Sequence, residues 1–257
     1  MQHHQPRKRF GQSFLVDPNY VGRIVGAIAP RRGDNLVEIG PGLGALTRPL
    51  VEAAGHLTAI EIDRDLAAGL AAEFPPQELA LTVGDALDFD FGTLGPALRI
   101  VGNLPYNISS SLLFHIGQFE PQIVDVHVML QREVVARMTA LPATPDYGRL
   151  TVMLQARFLV TRLFTVPAGA FRPAPKVESA VARLVPLGAK KPKIADAALF
   201  AQIVAAAFGQ RRKTLRNALS RLCDEGALRA AAIDPAARGE TLAVADFVRL
   251  ANALADD

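Results

Sequence analysis

In this 257-residue chain, Asn103-Leu104-Pro105-Tyr106 is the stretch whose residue types suit a definite chemistry. It follows the apolar run Leu98-Arg99-Ile100-Val101, which reads as a short buried strand ending in Gly102. The four residues would then stand at that strand's carboxyl edge, where ligands bind in an open α/β sheet. The chemistry they suit is methylation of a planar exocyclic amine such as adenine N6. The lone pair of that amine is delocalised into the ring, so removing a proton first is not the obvious route. A site can instead accept both N–H bonds and hold the nitrogen in line with an electrophilic methyl group. The Asn103 amide oxygen can take one bond and the Leu104 carbonyl the other. Pro105 biases Leu104 towards an extended conformation, which helps aim that carbonyl outward. Tyr106 offers an aromatic face for a base drawn out of its stack.

A second group of residues suits a cofactor that contains adenosine. Leu36-Val37-Glu38-Ile39 reads as a strand running into Gly40-Pro41-Gly42-Leu43-Gly44, and Leu57–Ile62 as the next strand, with Glu61 near its carboxyl end. Glu61 lies 17 residues beyond Gly44, where a carboxylate can accept bonds from both ribose hydroxyls. The glycines are spaced G-x-G-x-G, and a dinucleotide pyrophosphate wants G-x-G-x-x-G. S-adenosylmethionine has no phosphate to cradle, and a close, flat approach of the backbone at Gly40 and Gly42 suffices for it. Asp85 ends a third strand, Leu79–Val83, where it can accept from the cofactor's adenine amine or cap a helix.

These residues must be positioned by alternating strands and helices. A helix is expected near 18–29, with Asp17 as its cap and Pro18 in its first turn, and others near 44–54, up to Glu73, and from Ser109. Val124–Leu130 is a fifth strand, followed by a helix over Arg132–Ala140. The alternation predicts a parallel, doubly wound sheet. Residues 142–149 are turn-rich. Leu150–Val160 and Val177–Val185 read as further strands, separated by Phe171-Arg172-Pro173-Ala174-Pro175-Lys176. A linker at 186–192 then leads to a wholly helical region, with Phe200, Ile203, Val204, Ala207 and Phe208 at helical spacing. The expected domains are therefore 1–186, with 1–10 as a flexible basic arm, and a helical domain over 187–257.

Half the residues are hydrophobic and a fifth are charged, as in a soluble globular protein. No apolar stretch approaches the roughly 20 residues that span a bilayer. No apolar signal core follows the basic start, so a cytoplasmic protein is expected. The single Cys223 excludes an intrachain disulfide and fits a reducing compartment. The histidines show no ligand spacing, so no metal is expected. Residues 1–186 balance 17 bases against 17 acids, while 187–257 carry 11 bases and 8 acids. Within 209–222 lie Arg211, Arg212, Lys213, Arg216 and Arg221 with no acid. Arg212 and Arg216 would be helical i, i+4 neighbours facing one phosphate track, with Arg211 and Lys213 alongside. Arg7-Lys8-Arg9 is a second basic cluster. Such patches point to a polyanionic partner.

Six stretches stand in order: Arg7–Gln12, Glu38–Gly44, Asn103–Ser109, Met129–Val134, Phe171–Val177 and Gln210–Thr214. Together they resemble the ribosomal RNA small-subunit adenine dimethyltransferases, the kasugamycin-resistance methyltransferase family, over nearly the whole chain. The resemblance implies a Rossmann-like class I methyltransferase sheet with a small all-helical C-terminal domain, acting as a monomer. It implies S-adenosylmethionine as cofactor, contacted at Ser13, Leu15, Gly40, Glu61, Asp85 and Asn103. The implied reaction is dimethylation of two adjacent adenines in a hairpin loop near the 3′ end of 16S RNA, during assembly of the small (30S) ribosomal subunit. The family usually has Asn where this chain has Ser13, whose hydroxyl has shorter reach. Phe171 is expected to be a second stacking face opposite Tyr106. Phe10 and Phe14 compete for that role, and core packing is the alternative for all three. A related class methylates adenine in large-subunit RNA; the Phe171–Val177 loop and the Gln210–Thr214 run argue against it. An RNA-binding assembly factor without activity is opposed by the intact Gly40, Gly42, Gly44, Glu61, Asp85 and Asn103 set.

Overall fold

The computed structural model describes residues 12–255, so the expected basic arm and Phe10 lie outside the described residues. In chain order the elements are β1 (Phe14–Leu15), α1 (Pro18–Ile28), β2 (Asn35–Ile39), α2 (Thr47–Ala54), β3 (Leu57–Glu61), α3 (Arg64–Glu73) and β4 (Leu79–Val83). Then come β5 (Leu98–Asn103), α4 (Ser109–Ile116), β6 (Ile123–Gln131), α5 (Arg132–Met138), α6 (Arg149–Gln155), β7 (Phe158–Val166), β8 (Phe171–Arg172) and β9 (Ser179–Pro186). The chain continues with α7 (Ala197–Gly209), α8 (Leu215–Ala218), α9 (Glu225–Ala230) and α10 (Val244–Ala255). Asp17 caps α1 as expected, its side chain accepting from the Asn19 amide.

The main sheet runs β4-β3-β2-β5-β6-β9-β7, with β4 through β6 parallel and β9 antiparallel to β6. From β2 the chain steps outward through β3 to β4, then returns to lay β5 on the other side of β2. Carboxyl ends that diverge in this way open a crevice, and here it falls between Gly40 and Asn103. The central strands are buried on both faces, Val37, Ala59, Ile100 and Val101 completely, which is why they read as near-continuous apolar runs. β2 and β5 approach closely at this point. A Cβ built on Gly102 would lie 2.6 Å from the Ile39 carbonyl oxygen.

Two expectations need correction. Leu150–Val160 is not a strand: its first part is α6, and only Phe158–Val160 enters β7. A short buried apolar run fits either element, and here side chains decide. Thr151 Oγ1 accepts from the Gly148 amide and donates to the Arg137 carbonyl, while Gln155 Nε2 donates to the carbonyls of Met138 and Ala140. These bonds satisfy the open end of α5. The domain boundary changes with it. One compact unit holds the described residues through Val135 together with Thr161–Pro186, and the other holds Ala136–Val160 together with the described residues from Leu187 onward. The second unit is therefore discontinuous, because Tyr147, Val152 and Ala156 pack in one cluster with Phe200, Leu215 and Phe247.

The close approach at Gly102 generates a prediction. Gly102→Ala forces β2 and β5 apart and should cost about 1–3 kcal/mol of stability, as other over-packed cores do. Urea unfolding of parent and variant measures the difference.

Candidate active site

The crevice is a cleft of about 790 Å³, open solvent at its mouth included. Its walls come from the glycine turn, the ends of β3, β4 and β5, and the segment leading into β1. Gly40, Gly42 and Gly44 have φ of 66°, 59° and 80°, the left-handed region that a side chain resists. The turn is pinned across the sheet, the Gly40 amide donating to the Ile60 carbonyl at 2.9 Å. At Gly42 a second reason applies: a Cβ there would lie 3.1 Å from the Phe14 ring.

Glu61 ends β3 and is 4% exposed. Its two carboxylate oxygens accept from the amides of Gly42 (3.0 Å) and Asp63 (2.9 Å). Burial raises its pKa, with the Asp63 charge adding to the rise, and the backbone N–H groups of Asp63, Gly42 and Ile62 oppose it. Each oxygen has one more lone pair, so the carboxylate is oriented and can still accept from a diol. Asp85 is half-buried beyond β4, and one oxygen accepts from the Leu87 amide at 2.9 Å. Below the glycine turn, fully buried Glu38 accepts from Thr47 Oγ1 at 2.7 Å. Burial pushes its pKa up to about 7, and the nearby Glu61 charge adds to the effect.

Asn103 is the last residue of β5. Its Nδ2 donates to the Ser13 carbonyl at 3.0 Å, which turns Oδ1, the acceptor end, to the other side. The Leu104 amide donates to the Met129 carbonyl at 3.1 Å, and its side chain is buried at 1% exposure. The Leu104 carbonyl has no partner among the described residues. Pro105 and Tyr106 line the cleft beside it, and the Tyr106 hydroxyl lies 2.6 Å from Ser179 Oγ. Burial raises the Tyr106 phenol pKa, while the Ser179 bond lowers it.

Ser13, Gly40, Gly42, Glu61, Asp85, Asn103, Leu104, Pro105 and Tyr106 therefore meet in one cleft. Two expected residues do not. Phe171 is completely buried in the core of the first unit and pairs with Leu15 where β8 meets β1, so it is no stacking face. An aromatic at the start of a proline-rich loop looks presentable in sequence, yet its partner strand buries it. Leu15 belongs to the same core and does not line the cleft. Ser13 lines the cleft, but its hydroxyl donates to the Pro173 carbonyl at 2.6 Å. Phe14, which competed with Phe171 for the stacking role, lines the cleft, as do Gln12 and Ile62, to which the sequence reading assigned no role. Gln12 Nε2 donates to Asp63 Oδ2 at 3.0 Å. Only the nearness of Gln12 to Ser13 and of Ile62 to Glu61 in sequence signals those two.

In the second unit, the basic run differs from expectation. Arg212 is not helical: Gln210–Lys213 form a turn, the Lys213 amide donating to the Gln210 carbonyl at 2.8 Å, and α8 starts at Leu215. Arg212 and Arg216 are thus not one-turn neighbours. Acids distant in sequence also reach the run, with Arg211 Nε 2.9 Å from Glu240 Oε2 and Arg216 Nη1 3.5 Å from Glu225 Oε1. Arg212, Lys213 and Arg221 are exposed and make no ion pair among the described residues. No group of metal-ligating side chains occurs among the described residues. No helix among them is long and apolar enough to cross a membrane.

A doubly wound sheet with a glycine turn after the first parallel strand, an acid ending the next and Asn-Leu-Pro-Tyr at the switch point defines a class I methyltransferase. Comparison with known proteins narrows this. The family described as ribosomal RNA adenine dimethylase matches residues 3–256, and the chain belongs to that family. It is 58% identical over 255 residues to the ribosomal RNA small subunit methyltransferase A of Aromatoleum aromaticum, covering 99% of this chain and 96% of that one. The protein of the same name from Thiobacillus denitrificans is 60% identical over 244 residues, covering 95% and 96%. The crystal structure of the 23S rRNA methyltransferase ErmE superposes with a TM-score of 0.70 at 28% identity, covering 94% of this chain and 99% of ErmE. A dimethyladenosine transferase from Plasmodium falciparum has the same fold, with a TM-score of 0.79 at 24% identity over 92% and 95% of the two chains. The protein is a methyltransferase whose cofactor is S-adenosylmethionine. The cleft fits that cofactor, with glycines that leave room for it and an oriented Glu61 carboxylate for a diol.

Glu38 generates a pH prediction. Between about pH 4.5 and 7 the unfolded chain gives up the Glu38 proton that the folded chain keeps, so stability from this group falls as pH rises through that window. Glu38→Gln should remove the fall, gaining on the order of 2 kcal/mol relative to parent between about pH 5 and pH 8. Urea unfolding at both pH values checks it.

Proposed function

We propose that the protein dimethylates N6 of two adjacent adenosines in the 3′-terminal hairpin loop of 16S RNA, within the small ribosomal subunit during its assembly. The observation that carries this reading is the orientation of the Asn103 amide, whose nitrogen is bonded to the Ser13 carbonyl, beside the free Leu104 carbonyl. Two acceptors at the end of one strand match an amine with two N–H bonds. When bound, S-adenosylmethionine supplies the electrophilic methyl group. The chain's own residues do the rest. Gly40 and Gly42 give close backbone approach, Glu61 accepts from the ribose and Asp85 from the cofactor's adenine amine. Asn103 Oδ1 and the Leu104 carbonyl hold the target nitrogen in line and favour the positive charge that develops on it. Tyr106 supplies the stacking face, and Pro105 shapes the turn.

The choice of the small subunit over the large rests on relatives above 50% identity that carry the small-subunit name, against 28% for the 23S enzyme. The cytoplasm is where that substrate is assembled. RNA is held in part by the exposed bases of the second unit, Arg212, Lys213 and Arg221, with Arg211 and Arg216 partly neutralised by their acids.

Asn103→Ala should lower methyl transfer to undermodified small subunits by roughly 10²–10³, the usual effect of losing one transition-state acceptor. Cofactor affinity, read by calorimetry, should stay within about tenfold. A variant that transfers methyl at the parent rate would put the chemistry elsewhere.

Arg212→Glu combined with Lys213→Glu should weaken subunit binding and flatten its salt dependence. For each phosphate that is no longer neutralised, the slope should fall by about 0.7–0.9. Affinities measured from low to moderate salt decide this, and an unchanged slope means that these two side chains do not touch RNA.

A further inference from the structure

Tyr106 is held at both ends. Its backbone carbonyl accepts from Ser109 Oγ at 3.1 Å, and its hydroxyl meets Ser179 Oγ at 2.6 Å. Ser179 is a good anchor. It is completely buried, it is the first residue of β9, and it stands opposite Gln131 in the antiparallel pairing with β6. The two partners lie 73 residues apart, so the bond ties the turn after β5 across β6 to the start of β9. Of the seven residues between Phe171 and Ser179 all but Pro175 are exposed, and Ser179 is where that loop enters the sheet. The Ser179 hydroxyl makes no other hydrogen bond among the described residues.

A phenol fixed at its far end cannot swing about its Cα–Cβ bond. The ring can turn only about its long axis, and the surface a base would meet stays in one place. Without the bond, the half-buried ring has room on its cleft side and the face moves with it. We infer that Ser179 is a positioning residue for methyl transfer: through its bond to the Tyr106 hydroxyl it sets where the extruded adenine lies relative to Asn103 and the Leu104 carbonyl. The inference rests on the proposed role of Tyr106 as the stacking face. Ser179 itself touches neither substrate nor cofactor.

The consequence is a defect in alignment with binding retained. The stack survives when the tether is cut, so the base is still held, but the nitrogen sits out of line, and small misplacements cost up to roughly 10²-fold in rate. The test uses the full-length protein with undermodified small subunits and compares Ser179→Ala, Tyr106→Phe, their double variant and Tyr106→Ala. Ser179→Ala and Tyr106→Phe should each lower kcat by about tenfold, with KM for the subunit and the affinity for S-adenosylmethionine within about twofold of parent. The double variant should match either single, because both remove the same bond. Tyr106→Ala, which removes the face itself, should also raise KM. Parental kcat in Ser179→Ala, with Tyr106→Ala impaired, overturns the inference and leaves the stacking role intact. Additive losses in the double variant overturn it as well, and so do kcat, KM and cofactor affinity that all shift together. Parental kinetics in Tyr106→Ala overturn the stacking role itself, and the inference with it. If Ser179→Ala does not fold, Tyr106→Phe cuts the bond from the other side, and its kcat decides.

Discussion

In the proposed reaction, the bond from Asn103 Nδ2 to the Ser13 carbonyl decides what the cleft can accept. An amide has a donor end and an acceptor end, and an adenine amine offers only donors to a group in its plane. Were the amide reversed, two N–H groups would face each other and the site would repel its substrate. The bond depends on the placement of Ser13. That residue is itself braced by its hydroxyl on the Pro173 carbonyl and by β1 pairing with β8, where Leu15 lies opposite Phe171. Phe171, completely buried, anchors β8 against β1. Ser13 suits this strut: a hydroxyl on a short side chain reaches the loop carbonyl at 2.6 Å and leaves the backbone carbonyl facing Asn103.

The sheet divides its work between its two edges. At the amino edge Arg99 Nη1 pairs with Asp34 at 2.6 Å and Nη2 with Asp125 at 2.9 Å, and the same guanidinium donates to the carbonyls of Ile28 and Ala29 at the end of α1. These bonds tie β5 to β6 and stop α1, and they satisfy carbonyls a helix end leaves open. Breaking such a pair strands a buried charge, a large penalty. Nearby His127 is buried, and that burial, eased by Asp125, pulls its pKa down to about 4, so it is neutral at ordinary pH. The carboxyl edge carries the opposite arrangement. There Glu61, Asp85 and Asn103 keep acceptors open towards the cleft, and beneath the glycine turn a buried Glu38 holds its proton to about pH 7.

Much of this was legible in the chain. Apolar strands alternating with helices, a glycine turn after one strand, acids ending the next two and Asn103 after the fourth are local patterns, and each lies where its pattern put it. What was not legible depends on partners far away in sequence. Phe171 could not be told from a presented aromatic without its pairing to Leu15. The hydroxyl of Ser13 was spoken for by Pro173, 160 residues on. The basic run had no acid within it, yet Glu225 and Glu240 reach it in space. Leu150–Gln155 is an apolar run too short for its period to choose between strand and helix, and the caps on Arg137 and Met138 chose. The boundary at 186 was placed by composition, which cannot see that residues 136–160 pack with the helical unit.

The fold is shared with a 23S rRNA methyltransferase, so the product on RNA is the most direct test of the account. Purified protein, S-adenosylmethionine labelled in its methyl group and undermodified small subunits should be incubated together. The RNA is then cut into fragments and digested to nucleosides for mass spectrometry. The account predicts label only in N6,N6-dimethyladenosine, from two neighbouring positions in the 3′-terminal hairpin. Label in another nucleoside, or in large-subunit RNA while small subunits stay unmodified, would contradict it.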